Sequence, residues 1–426
     1  MIARAAVAAF VASVALLAQP SIADASSRAV YGVQDDAWLV HGPGTLESRL
    51  DVLDAMGVDV VRYTVRWSLI AETRPQSEGD DRDPAYDWSE PDAVLRGLRR
   101  HGIDPVVTLY GSPRWANGDR SPNWAPKSAL AFGSFARAIA SRYPWIRYWT
   151  IWNEPNRPEW LRPTTPATYV RKILNPAYAA IRATIRDARV GGGMTAPRAG
   201  TGGVSPVSWI AAMGTLHARL DAYAHHPYPG KPQSETPWSP ACNRCSSITM
   251  ADLERLVRLV RRAFGPKRIW LTEFGYQTNP PDAFLGVAPD RQAAYVASAA
   301  RRVEEAPSVD MLIYFLVRDD AAAEGWQSGF FDEDGNPKRS YAALRFPLDV
   351  VSRRGELVRL WGHIRPGEGS QAFRVRVWAQ GHWSWVGGLR HTSRRGAFSV
   401  TIRAPKGALV QAWWALERAY GLSVRV

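Results

Sequence analysis

The chain has 426 residues, of which 46% are hydrophobic and 22% charged, with a net charge of +13. That composition excludes a disordered, low-complexity chain, and the length suits two domains or one large α/β barrel with an appendage. Residues 350–426 hold 13 Lys and Arg against 3 Asp and Glu, a net of +10, so everything before them contributes +3. A preference for arginine over lysine does not explain the shortage of acids in that one segment.

In chain order, the first stretch is "MIARAAVAAFVASVALLAQPSIADASS". It has an early Arg4, an apolar run to Ala18 and an A-x-A site at Ala23-Asp24-Ala25. Residues 1–25 read as a signal peptide cleaved before Ser26, which predicts a secreted, extracellular protein. The run is short for a spanning helix, and no later segment is apolar enough to cross a membrane.

Short apolar, β-rich runs then alternate with helical patterns. The runs are "VYGVQ" (Val30–Gln34), "DVVRYTV" (Asp59–Val65), "PVVTLY" (Pro105–Tyr110) and "RYWTIW" (Arg147–Trp152). They continue with "RVGGGM" (Arg189–Met194), "LDAYAH" (Leu220–His225), "RIWLTE" (Arg268–Glu273) and "MLIYFL" (Met311–Leu316). Stretches such as "PDAVLRGLRRHG" and "MADLERLVRLVRRAFG" between them place apolar residues at helical spacing and stop at a Gly. The fourth helical region should kink or break at Pro176. Eight strands with crossover helices predict a (β/α)8 TIM barrel over residues 26–347. A doubly wound open sheet is the alternative, but no G-x-G-x-x-G follows the first strand.

Two cysteines, Cys242 and Cys245, form a C-x-x-C in "ACNRCSS". In an exported chain this reads as a small loop disulfide and not as a redox pair. His225 and His226 upstream would complete a four-ligand zinc site, yet two cysteines in one loop staple it without a metal. No metal and no cofactor are expected.

From about Phe346 the period changes to two. In "QAFRVRVWAQ", Phe373, Val375 and Val377 share one face, and Arg374, Arg376 and Trp378 share the other. Residues 348–426 are predicted to form a small C-terminal antiparallel β-sandwich domain. No low-complexity linker precedes it, so it should dock against the barrel. Its basic, tryptophan-bearing face either binds an anionic cell-wall or matrix polymer or only docks and solvates the domain. Nucleic acid would feel the same charge, but an exported protein rarely meets it, so none is expected as a partner.

A barrel places its chemistry at the C-terminal ends of its strands. Two predicted strand ends carry a glutamate: Glu154 in "IWNEPNRP" after the fourth, and Glu273 in "LTEFG" after the seventh. Pro155 biases Glu154 away from the α region, which keeps the carboxylate on the strand end. Simple alternation would turn Asn153 and Glu154 to opposite faces, so if both line a site the strand end must be irregular. Two carboxyls at one barrel mouth are the equipment of glycoside hydrolysis, one protonated to release the leaving oxygen and one ionised.

"WNEPN" and "LTEFG" resemble the fourth- and seventh-strand signatures of retaining glycoside hydrolases on (β/α)8 barrels. Within that clan the chain resembles glycoside hydrolase family 39 and the neighbouring, cellulase-like family 5, from about Tyr31 to Leu344. "VVRYTVRWSLI", "GSPRWA", "HHPYP" and "GFFDEDGNPKRSYAAL" join the resemblance. It implies Glu154 as acid/base, Glu273 as nucleophile and Asn153 on the sugar 2-hydroxyl. It implies that Arg62 supports the nucleophile and that His226 and Tyr228 line the site. Trp115 and Trp326 are candidate sugar platforms. Many relatives carry a tryptophan in the eighth strand, where this chain has Tyr314-Phe315-Leu316. The resulting expectation is a secreted retaining β-glycosidase acting on an extracellular polysaccharide or oligosaccharide. The alternative is a non-catalytic carbohydrate- or cell-wall-binding protein on the same barrel.

Overall fold

A computed structural model describes residues 29–321, 325–367 and 369–426. The expected signal peptide, residues 1–25, lies outside the described residues. No helix among the described residues is long and apolar enough to cross a membrane.

Eight parallel strands close into a barrel in sequence order: β1 Val30–Gln34, β2 Val60–Arg66, β3 Asp104–Tyr110, β4 Tyr148–Ile151, β5 Arg189–Thr195, β6 Ala222–His225, β7 Arg268–Leu271 and β8 Val309–Phe315. Each matches a predicted run to within two residues. Period-two alternation sorts their side chains. Val60, Val106, Ala222, Ala224, Trp270, Met311 and Ile313 form a buried cluster inside the barrel. Val61, Tyr63, Trp149, Tyr223, Ile269 and Leu312, one residue out of phase, pack in the large cluster under the helices. The Trp270 indole occupies the interior because β5 is glycine-rich beside it. A Cβ on Gly191 would lie 2.6 Å from Trp270 Cε3.

The helical region at Pro176 does not break. It runs as helix over Pro166–Tyr169, a π turn over Val170–Leu174, and helix again over Asn175–Thr184. The wider turn absorbs the missing N–H and the ring's clash with the preceding carbonyl.

The C-terminal segment forms two antiparallel sheets. One has three strands in the order β13 Ala397–Arg403, β10 Leu357–His363 and β9 Leu348–Arg354. The other has five: β12 His382–His391, β11 Ala372–Ala379, β14 Leu409–Trp414 and β15 Ala419–Tyr420 in order, with β16 Val424–Arg425 on β14. Phe373, Val375, Val377, Val400 and Val410 fill the core between them. The sandwich docks on the barrel, as the missing linker implied. Trp361 is buried in the same cluster as the barrel residues. The Arg365 guanidinium lies 3.8 Å over the Tyr31 ring, and Arg301 pairs with Asp349 at 2.6 Å. Gly57, at φ 68°, is needed at this junction, where a Cβ would meet Pro366 N at 2.5 Å.

Cys242 and Cys245 are joined in a disulfide with Cα atoms 5.4 Å apart. The loop is also held by Arg255, which donates to the carbonyls of Cys242 (2.8 Å) and Ser247 (3.0 Å), and by Asp252, which accepts the Cys242 N–H at 2.8 Å.

Gly191→Ala should overpack the barrel interior and destabilise the fold by about 1–3 kcal/mol. Denaturant midpoints check this; a midpoint equal to the parent's would show that Trp270 moves freely aside.

Candidate active site

The site is built on one arginine. Arg62 lies in β2 on the inward phase, two residues beyond Val60, and its side chain is 1% exposed. Its Nε donates to Thr108 Oγ1 (2.8 Å) and its Nη2 to Asn153 Oδ1 (2.7 Å). Its Nη1 donates to Glu273 Oε1 at 2.5 Å and also to Gln34 Oε1. The guanidinium therefore joins residues from β1, β3 and the exits of β4 and β7. A buried cation needs its donors matched in this way, because an unpaired one would carry a large desolvation cost.

The exit of β4 is irregular, as the double placement of Asn153 and Glu154 required. Trp152 has φ 70° and Glu154 has φ 35°, both in the left-handed region. By strict alternation Trp152 would enter the barrel. Instead it packs in the cluster under the helices, with its Nε1 donating to Trp160 O at 2.7 Å. Asn153 then turns inward to Arg62, and Glu154 follows it into the mouth. Asn156 fixes the exit by accepting the Ala196 N–H (2.9 Å) and donating to Val204 O (3.1 Å).

The adjacent histidines separate by the same alternation. His225 faces outward, bonded to Thr195 Oγ1 (2.8 Å) and Ile248 O (3.0 Å), and burial pushes its imidazole down to about 3. It is a satisfied core histidine. It does not join the cysteines, so the zinc alternative has no geometry. His226 follows Ala222 and Ala224 on the inward phase. Its Nδ1 lies 3.0 Å from Glu154 Oε1 and 3.4 Å from Glu273 Oε2, and its Nε2 is buried without a hydrogen-bond partner among the described residues. Tyr228 Oη donates to Glu273 Oε2 at 3.1 Å.

Donor atoms of Glu154, His226 and Glu273 all lie within 4.8 Å of one another. Among the described residues this is the one cluster whose spacing would also suit a cation. Arg62 and Tyr228 donate to the two Glu273 oxygens, and His226 Nδ1 meets Glu154 Oε1. Both carboxylate side chains are 12% exposed. Burial is the largest influence on the Glu273 carboxyl and would raise it. The charges of His226 and Arg62 and the hydrogen bonds from Arg62 and Tyr228 outweigh burial and hold it below the usual carboxylate range.

The two candidate platforms part company. Trp326 is 40% exposed, with its ring 5.3 Å from Tyr228 and 5.3 Å edge-on from Phe315. Trp326 belongs to the loop after β8 and sits against Phe315 of that strand. Trp115 instead donates to Ala71 O at 2.8 Å and meets Trp67 edge-on, and no contact ties it to the carboxylates.

Sequence reasoning passed over Gln34, Thr108 and Asp35. Asp35 accepts the N–H groups of Trp38 (3.0 Å), Val317 and Arg318 (both 3.2 Å), tying the β1 exit to the β8 exit. Burial, partly offset by these bonds, pushes its carboxyl up to about 6. The signal for all three was position: Gln34 ends β1, Asp35 follows it, and Thr108 is on the inward phase of β3.

A closed (β/α)8 barrel with paired glutamates at the exits of β4 and β7 has the architecture of the barrel glycosidases. The glycosyl hydrolase catalytic core family model matches residues 85–343, and the chain belongs to that family. It is a glycoside hydrolase, and its substrate is a carbohydrate. The fold is similar to that of a family 39 glycoside hydrolase from the gut symbiont Bacteroides cellulosilyticus WH2, with TM-score 0.60 and 16% identity over 89% of this chain and 81% of that one. A glucosidase from Croceicoccus marinus gives TM-score 0.59 and 15% identity over 91% and 95%. A GH5_18 protein from Streptomyces cattleya, solved with GlcNAc, gives 0.54 and 16% over 75% and 79%. At these identities the likeness is one of fold. No curated protein matches the chain by sequence.

Removing the Arg62 charge should let the Glu273 carboxyl rise, so ionisation would require a higher pH. In Arg62→Met the acid limb of kcat/KM should move up by about 1–3 pH units. Arg62→Lys, which keeps the charge, should move it less. The pH–rate profiles decide, and an acid limb unchanged in Arg62→Met would refute the role given to this ion pair.

Proposed function

We propose that the protein is an exported retaining β-glycosidase that cleaves a polysaccharide or oligosaccharide by double displacement. The observation that carries this is the carboxylate spacing: oxygens of Glu154 and Glu273 lie within 4.8 Å of each other. Retaining enzymes hold their carboxyls about 5–5.5 Å apart, whereas inverting ones leave about 6.5–9.5 Å for a water between them.

In this reading Glu273, kept ionised by Arg62 and Tyr228, attacks the anomeric carbon as the glycosidic C–O bond breaks. Glu154 gives its proton to the departing oxygen. It then takes a proton from water, whose oxygen displaces Glu273 from the glycosyl–enzyme ester and restores both carboxyls. Asn153, oriented by Arg62, faces the sugar 2-hydroxyl, and Trp326 offers its exposed ring as a platform. The presence of both carboxylates in one hydrogen-bonded cluster favours catalysis over the non-catalytic binding alternative.

Glu154→Ala should spare aryl glycosides with good leaving groups, which need little protonation to depart, and lose about 100-fold or more on natural linkages. Kinetics on a leaving-group series tests the assignment, and an equal loss on both kinds of substrate contradicts it. The first-formed anomer, followed by NMR, should retain the configuration of the substrate; an inverted product would overturn double displacement.

A further inference from the structure

The C-terminal sandwich has an inner and an outer face, and the outer face of its five-stranded sheet is unusual in composition. None of the five strands carries an Asp or Glu. The domain docks on the barrel through Trp361, Arg365 and Asp349 and, from the five-stranded sheet and its connections, through Trp414 and Leu422, none of which is among its outer-face rings Trp378, Trp385 and Tyr420. The outer aromatic residues are therefore not consumed by docking: Trp378 is 37% exposed, Trp385 43% and Tyr420 43%.

Arginines are interleaved with these rings. The Arg374 guanidinium lies 4.2 Å over Trp385. Arg376 lies 3.6 Å over Tyr420 and 4.3 Å over Trp383, and its Nε and Nη2 are fixed by Gln411 Oε1 at 2.9 and 2.6 Å. Trp385 and Tyr420 are near parallel, 20° apart, with centroids 6.5 Å apart. Neither arginine has a carboxylate partner among the described residues; ring faces take that place. A guanidinium stacked on a ring keeps N–H groups at its edge for the oxygens of an anion, and with Arg376 Nε held by Gln411 these are its Nη groups. The exposed indole and phenol faces meanwhile suit the apolar face of a pyranose ring.

We propose that this face is a binding site for an acidic polysaccharide, a glycan bearing carboxylate or sulfate groups along a chain of sugar rings. Charge complementarity selects the anion, because the segment from residue 350 onward carries a net +10 from 13 basic and 3 acidic residues. The choice of a glycan over another polyanion rests on the carbohydrate-cleaving family of the barrel, and not on the double-displacement mechanism. Because the domain docks on the barrel, a polymer held on this face stays tethered to the chain that carries the carboxylates.

The test uses the full chain carrying Glu273→Gln, so that binding is read without turnover. Polygalacturonate and heparin are the acidic probes, dextran the neutral one and single-stranded DNA the competing polyanion. Binding to at least one acidic glycan should be detectable at about 50 mM salt, weaken at least tenfold by about 200 mM, and be absent for dextran. Trp385→Ala and Arg376→Lys, introduced singly, should each weaken it about tenfold, with melting temperatures confirming that both variants fold. Binding to neither acidic glycan, equal binding by both folded variants, or tighter binding to DNA at the same salt overturns the proposal. Failure of the parent enzyme to hydrolyse any glycan would refute the catalytic reading and leave the binding result to stand or fall alone.

Discussion

The buried ion pair between Arg62 and Glu273 is the constraint on which the rest of the site depends. Two charges with side-chain exposures of 1% and 12% are held at 2.5 Å inside the mouth of a barrel. Taking such charges out of water costs several kcal/mol each, and their attraction offsets this only when the remaining donors and acceptors are also met. Gln34, Thr108, Asn153 and Tyr228 meet them. Each comes from a different strand or strand exit, so the closed barrel, and no smaller piece of it, assembles the network. The apolar layer of Val60, Val106, Trp270 and Met311 beneath it excludes water from below. In that low-dielectric setting the pair keeps a carboxylate ionised despite its burial.

The second carboxylate reaches the mouth through backbone irregularity. Left-handed φ at Trp152 and Glu154 costs on the order of 1–3 kcal/mol at each residue. The surroundings over-determine it. The Trp152 indole is tied to Trp160 O, the Arg157 N–H bonds to Glu154 O at 2.9 Å, and Asn156 clamps the turn to the β5 exit. A regular strand end would have sent Asn153 and Glu154 to opposite sides of the sheet. The distortion is what lets one exit orient a side chain on Arg62 and bring a carboxylate beside His226.

Much of this was legible in the chain because it rests on local rules. The eight strands follow from β-rich runs separated by helical periods, and Glu154 and Glu273 follow from their place at strand ends. The proline after Glu154 indicates that the strand stops there. The outward-facing Arg374, Arg376 and Trp378 follow from period two alone. What could not be read depends on contacts between distant residues. Arg62 looked like a supporter of one carboxylate, whereas its partners lie 28, 46, 91 and 211 residues away. Trp115 and Trp326 were equivalent as sequence, and only the folded loops tie one to Ala71 and the other to Tyr228. The histidine pair was separable in principle: extending the alternation of Ala222 and Ala224 by one step selects His226. At Pro176 the irregularity takes the form of a π turn, which has no clear sequence signal.

The central claim is that Arg62 and Tyr228 hold Glu273 as an ionised nucleophile. Its most direct test is covalent trapping with a panel of activated 2-deoxy-2-fluoro glycosides, followed by mass spectrometry of peptides. Slow turnover of the fluorinated sugar should leave one glycosyl group per chain on the peptide that contains Glu273, with no label in Glu273→Gln. A label on Glu154 would contradict the account. So would rapid hydrolysis of natural glycans by a protein that no fluorosugar of the matching configuration can label.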